Sequence, residues 1–334
     1  MANMRRIKIS KFWAVVIGLV LIVGLLSTDW STSNSKPIYG VSFSKFHSDE
    51  LGLDWKDTYL NILDDLKVKN FRLSAHWPMV EPEEGKYNFK ELDFQIKEAE
   101  KRSATVVLAV GRRLPGWPEC HEPYWLLNRT LEEKQGAIIK YISAVVLRYR
   151  DSKAVKYWQV ENEPFLGFFS RPLCGPLDET FLKKEIQLVH SLDPSRKVII
   201  TDSGEFGLWY KAYSFSDVFG TSMYLYIWNH KFGPLRYPIT PAFFRIKQNI
   251  VKIFYGDKPS FVIELSSEPW LLQPIASTSM EVQFERMGPD KFEEMLSFSS
   301  RTGFNTFYLW GAEWWYWLKL RGVSTHWDRA KKLF

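Results

Sequence analysis

The chain has 334 residues and only two cysteines, Cys120 and Cys174. That excludes a disulfide-dense scaffold, and with no CxxC pair or His/Cys spacing of a metal site it excludes a zinc framework. A large charge surplus is also missing. The net charge is +6, and Arg5, Arg6, Lys8 and Lys11 contribute four of those charges from one N-terminal segment. The rest is close to neutral, with no basic stripe of the kind that binds nucleic acid. Internal repeats and low-complexity tracts are absent beyond one Ser/Thr-rich stretch at 27–35. Long apolar runs are absent except at residues 12–26.

That one run is uncharged, follows the basic segment, and precedes the polar stretch. The layout fits a signal peptide. It fits equally a membrane anchor with its positive end in the cytoplasm, although roughly 20 residues are needed for a span. Both alternatives place the remainder outside the cytoplasm. The expected organisation is therefore 1–36 as basic stub, hydrophobic segment and tether, and 37–334 as a single domain. In an oxidising compartment Cys120 and Cys174 can pair, and the expected loops carrying them are neighbours.

From Ile38 onward, short apolar segments alternate with amphipathic ones. Strands are expected at 38–44, 71–77, 105–110, 155–163, 197–201, 218–225, 260–264 and 306–310. Helices are expected between them, with Asn88 capping one and a weak one near 208–213. Strict alternation implies parallel strands joined by crossover helices, and eight strands imply a (β/α)8 TIM barrel.

In such a barrel the chemistry collects at the C-terminal strand ends. The polar residues expected there are Arg72, His76 and Trp77 from the second strand, and Asn162 and Glu163 from the fourth. Tyr224 comes from the sixth, Glu264 from the seventh, and Trp310 and Glu313 from the eighth. Two carboxyl groups on separate strand ends suit glycoside hydrolysis, in which one acid protonates the leaving oxygen and the other attacks the sugar. Trp is abundant, at 15 residues. The runs Trp117–His121 and Glu313–Trp317, read as loops, offer flat surfaces for sugar rings.

These motifs resemble glycoside hydrolase clan A, the retaining (β/α)8 glycosidases. The resemblance rests on Asn162-Glu163-Pro164, on Glu264 ending the seventh strand, and on the Trp77-to-Phe89 segment with its Glu-Pro, Gly, aromatic and Asn. It covers roughly residues 37 to 320. Families 5, 10, 39 and 42 are all possible relatives. The resemblance implies Glu163 as acid/base and Glu264 as nucleophile, their carboxyl groups about 5–5.5 Å apart. It implies Asn162 on the sugar 2-hydroxyl, Arg72 and Tyr224 on the nucleophile, with Tyr226 as a competitor, and Trp310 as the floor of the subsite. Departures exist. Ile263 precedes Glu264, and Glu268 is a rival nucleophile, while Glu161 is a third acid near the site.

The activity implied is a retaining β-glycosidase on a β-linked poly- or oligosaccharide, nominally an endo-β-1,4-glucanase. β-Galactosidase, mannanase and xylanase activities stand beside it. A cell-envelope transglycosidase and a catalytically silent, tethered glycan-binding barrel are the alternatives. The partner expected is carbohydrate, with the membrane through residues 12–26 if that segment is retained. No metal or organic cofactor is expected, and the sequence is silent on oligomeric state.

Overall fold

The structure is a computed structural model. It describes residues 11–30, 36–116, 119–167, 174–176, 178–229 and 231–334. Most of the leader's basic residues (Arg5, Arg6 and Lys8), the tether at 31–35, and Trp117 lie outside the described residues.

Eight parallel strands close into a barrel. They are β1 (Ile38–Ser42), β2 (Asn70–Ser74), β3 (Thr105–Val110), β4 (Val155–Val160), β5 (Lys197–Asp202), β6 (Val218–Met223), β9 (Ser260–Ser266) and β10 (Thr306–Trp310). β6 pairs with β9, and β10 closes on β1, with Ser42 opposite Trp310. β7 (Tyr226–Asn229) and β8 (Gly233–Arg236) form a separate antiparallel hairpin in the loop after β6. The strands are Val- and Ile-rich because both faces are covered, as in any all-parallel sheet. One core packs the helices against the barrel wall. A second, smaller core plugs the barrel interior with Val107, Ile199, Val218, Phe261, Ile263 and Tyr308. That plug leaves the polar inward positions to the C-terminal end.

The helices fall close to their expected places, at Trp55–Asp64, Lys90–Lys101, Leu131–Tyr149, Glu179–Leu192, Pro241–Tyr255 and Pro289–Ser299. The long Leu131–Tyr149 helix opens on a reciprocal capping box between Thr130 and Glu133. Asn88 Oδ1 accepts the Lys90 N–H at 3.2 Å, while Phe89 takes the cap position itself. The weak helix exists at Tyr210–Phe215.

Two expectations are corrected. The Glu313–Trp317 run is not a loop platform. It belongs to the helix Ala312–Leu320, in which Trp314, Trp315, Tyr316 and Trp317 are all buried. Its aromatics fill the space behind the barrel, with Trp315 Nε1 donating to Ser267 O at 2.8 Å. The N-terminal apolar run forms a helix, Lys11–Ser27, of 17 residues. At 1.5 Å per residue it reaches about 26 Å, under the roughly 30 Å of a bilayer core. No helix among the described residues is long and apolar enough to cross a membrane, so a spanning segment finds no support. The end of this helix is tied to Pro241–Tyr255: Asn249 Nδ2 donates to Leu26 O at 2.8 Å and to Thr28 O at 3.0 Å.

Candidate active site

The site grows from Arg72, on the inner face of β2 and 1% exposed. A buried guanidinium needs partners on every side, and three side chains supply them. Nη1 donates to Glu264 Oε2 at 2.7 Å, Nη2 to Asn162 Oδ1 at 2.6 Å, and Nε to Gln159 Oε1 at 2.9 Å. One cation thus fixes residues from β4, the turn after β4, and β9.

Glu264 receives a second donor on its other oxygen. Tyr224 Oη donates to Oε1. Burial, with Glu264 beside it, holds the Tyr224 phenol well above its ordinary range, so it stays a donor. Tyr224 is itself positioned by its backbone, whose N–H donates to Glu205 Oε1 at 2.8 Å. The competitor Tyr226 donates instead to Glu294, on the helix Pro289–Ser299.

The turn after β4 holds two residues with positive φ that are not glycine, Glu161 at 58° and Glu163 at 42°. Such backbone costs of order 1–3 kcal/mol and persists where the surroundings over-determine it. Both are held. Glu161 accepts the Arg112 and Arg113 N–H groups at 2.9 and 2.7 Å, and the Glu163 N–H donates to Thr201 Oγ1 at 2.7 Å. Burial pushes the Glu163 carboxyl well above the usual range, and the charges of Glu264 and Glu119 push the same way. Asn162 spans the gap between the strands. Its Oδ1 accepts from Arg72 and Gln159, and its Nδ2 donates to Glu119 Oε2 at 3.2 Å.

Trp310 ends β10. Its Nε1 donates to Glu268 Oε1 at 2.6 Å, and His47 holds the other oxygen of Glu268 at 2.8 Å. Burial opposes charge on His47, but Glu268 and Glu50 outweigh it and raise the imidazole well above its ordinary value. Gly116 lies beneath the indole: a Cβ there would meet Trp310 Cη2 at 3.2 Å, on backbone with φ +98°. The loops around the site are pinned by a disulfide between Cys120 and Cys174, Cα atoms 5.4 Å apart. Among the described residues no cluster of His, Cys, Asp or Glu could hold a metal ion.

This constellation can be set beside known proteins. A family model described as Beta-galactosidase, of glycoside hydrolase family 42, matches residues 54–135. A probable mannan endo-1,4-beta-mannosidase F of Emericella nidulans is 29% identical over 138 residues, 37% of this chain and 29% of its own length. Beta-galactosidase BgaA of Clostridium cellulovorans is 27% identical over 173 residues, 44% of this chain and 25% of its own. The chain thus spans less than a third of the length of these curated relatives. The solved beta-galactosidase from the psychrophilic Marinomonas ef1 superposes with a TM-score of 0.57 at 11% identity. The match covers 88% of this chain and 61% of that one, and at that identity the likeness concerns the fold. The chain is thus similar in part of its sequence to these β-glycosidases, and in fold to the solved one.

Beside the clan A pattern, the expected site residues divide into two groups. Arg72, Asn162, Glu163, Tyr224, Glu264 and Trp310 gather at the C-terminal end of the barrel. Three others are buried against protein neighbours. Trp77 is fully buried, stacked on Tyr141 at 5.0 Å with Nε1 donating to Glu81 Oε2 at 2.7 Å. Glu313 is 1% exposed, and its Oε1 accepts the Ser44 N–H at 2.5 Å, bracing the loop after β1. His76 lies edge-on to His121 at 4.8 Å, and burial followed by that neighbour holds it well below its usual value, as a neutral ring. Glu268 is engaged with Trp310 and His47, and Glu161 with backbone amides.

Sequence reading gave no role in the catalytic cluster to three members. Gln159 is two residues before Glu161 on the inward face of β4, and a polar residue inside an apolar strand was its signal. Glu119 and Glu205 come from loops. Burial raises both carboxyls to about 7, with Glu264 adding to the effect. Glu119 lies in the Trp117–His121 run read as a sugar surface, but a linear pattern gives neither its contact with Asn162 nor that of Glu205 with the Tyr224 backbone.

Proposed function

We propose that this protein is a retaining β-glycosidase that cleaves a β-linked poly- or oligosaccharide through a covalent glycosyl-enzyme intermediate. The observation that carries the reading is the unequal setting of the two acids. Both oxygens of Glu264 accept hydrogen bonds, one from a guanidinium, which is the setting of a carboxylate nucleophile. Glu163 is buried with its carboxyl raised, the setting of a proton donor.

In the first step Glu163 protonates the glycosidic oxygen as Glu264 bonds the anomeric carbon and the leaving sugar departs. In the second, Glu163 takes a proton from water, which displaces Glu264 from the sugar. Tyr224 and Arg72 stabilise the carboxylate when it leaves again. Asn162, anchored by Arg72 and Gln159, would turn its Nδ2 from Glu119 to the sugar 2-hydroxyl. Trp310, held flat by Glu268, provides the stacking floor. The alternative of a silent binding barrel would not need the raised Glu163 opposite a doubly bonded Glu264.

The named relatives act on mannan or are β-galactosidases. Of the substrates set beside β-1,4-glucans from the sequence, mannans and β-galactosides are therefore the ones the relatives favour. The disulfide and the exposed apolar helix Lys11–Ser27 favour an extracytoplasmic enzyme held at, or released from, a membrane surface. The test is hydrolysis of aryl β-glycosides and of mannan, galactan and glucan. Turnover should vanish in Glu163→Gln and Glu264→Gln, with azide rescuing their glycine variants. Full activity in either glutamine variant would sink the assignment.

A further inference from the structure

The hairpin β7–β8 builds a pocket beside the catalytic end of the barrel that none of the roles above uses. Its walls include Tyr226 and Leu235 from the hairpin, Trp270 from the loop after β9, and the cations Arg236, Arg286 and Lys291. No Asp or Glu is among its lining residues. It adjoins the reaction centre directly: Trp270 packs edge-on against Tyr224 at 5.1 Å, and Tyr224 holds Glu264.

The three cations are not equally neutralised. Arg236 donates from Nε and Nη2 to Glu294 Oε1 at 2.8 and 2.7 Å, and Tyr226 shares that carboxylate. Arg286 meets Glu285 through Nη1 at 2.9 Å, but that carboxylate is largely exposed and the buried Arg286 Nε has no hydrogen-bond partner. Lys291 donates to the Glu285 carbonyl at 2.6 Å and lies 4.7 Å from the Tyr226 ring centre, neither of which cancels its charge. Glu285 and Glu294 against three cations leave one positive charge over an aromatic wall. A neutral sugar needs the wall alone. The surplus charge with a partly unused guanidinium suits an oxyanion.

We infer that this pocket is an accessory subsite for a sugar carrying an oxyanion, a uronate carboxylate or a sulfate ester, next to the bond that is cleaved. The inference deepens the glycosidase reading and rests on it. Tyr226 and Trp270 stack on the ring, and Lys291 and Arg286 hold the anion. The natural glycan would then be an acidic polysaccharide.

The full chain is assayed on three β-linked oligosaccharides of equal length: neutral, uronate-bearing and sulfate-bearing. The wild type should prefer at least one acidic form by about tenfold in kcat/KM, and this preference should shrink with added NaCl, which screens the pair. Lys291→Gln and Arg286→Gln should each reduce it, and Lys291→Glu should reverse it. Preference for the uronate arm or the sulfate arm identifies the anion. A ratio near one, or one insensitive to all three substitutions, overturns the subsite. Calorimetric titration of Glu163→Gln with methyl β-glucuronide and with inorganic sulfate separates the two claims. Binding that Lys291→Glu abolishes, in a chain without glycosidase activity, would keep the subsite and reject the glycosidase.

Discussion

Arg72 Nη1 stands 2.7 Å from Glu264 Oε2, and the same guanidinium reaches Asn162 Oδ1 through Nη2. Charge and geometry at the nucleophile therefore come from one side chain, and substitution can separate them. In Arg72→Met the cation and its hydrogen bonds to Glu264, Asn162 and Gln159 are gone, so kcat/KM should fall by about 100-fold at neutral pH. Arg72→Lys keeps a charge but not the fork. It should recover part of that loss while kcat stays below the wild type, because Asn162 loses its anchor. Equal losses in both variants would mean that the charge of Arg72 adds nothing to its packing.

Glu268 competes with Glu264 for the nucleophile's role on sequence grounds, and the hydrogen bonds separate them. Glu268 accepts from Trp310 and faces His47, so its amide replacement can keep both contacts. Glu268→Gln should lose no more than about tenfold in kcat/KM, mostly through KM, by analogy with losing part of one charged hydrogen bond. Glu264→Gln should lose turnover by about 1,000-fold or more, as expected when a covalent step is removed. Intact-mass measurement after reaction with a 2-deoxy-2-fluoro glycoside should label Glu264, and labelling of Glu268 would reverse the assignment.

Most of the barrel was legible because its strands are buried on both faces. Thr105–Val110 and Thr306–Trp310 read as unbroken apolar runs between turn signals, and their limits agree with the structure. Asn162, Glu163 and Glu264 were picked out by the apolar runs that lead to them, although β4 stops at Val160, before the first two, and β9 continues past Glu264 to Ser266. The sequence reading failed where a residue's setting depends on a distant element. The Trp-rich stretch Glu313–Trp317 looked like a sugar platform, but a helix buries every one of its aromatics. The contacts of Glu119 and Glu205 were not legible because they are made far along the chain, to Asn162 and to the Tyr224 backbone, even though the Trp117–His121 run around Glu119 was read as a sugar surface.

Glu119 provides a test of how the proton on Glu163 is held. Burial raises the Glu163 carboxyl first, and the charges of Glu264 and Glu119 follow. An anion nearby disfavours a second one, so removing it makes Glu163 ionise more easily. Glu119→Gln should therefore shift the basic limb of kcat/KM to lower pH by a fraction of a unit to about 1 unit. Its amide can still accept from Asn162, which keeps the geometry. A basic limb that stays in place would show that Glu119 is already protonated where Glu163 works.

Glu313 yields a prediction for stability instead of rate. Burial raises its carboxyl to about 7, against an ordinary value of 4.5, while His47 opposes the rise. Below pH 4.5 the group is protonated in both the folded and unfolded states, and no penalty exists. As pH climbs from 4.5 to 7 the unfolded chain releases the proton first, so stability falls, and the loss is complete above 7. The full term is on the order of 1–3 kcal/mol. Glu313→Gln retains an oxygen for the Ser44 N–H and cannot titrate. The difference in Tm between variant and wild type should therefore rise in favour of the variant across pH 4.5 to 7, then level off. Differential scanning calorimetry at five or so pH values measures it, and a difference that is flat or falls over that window would show that Glu313 is ionised in its brace and paired with His47.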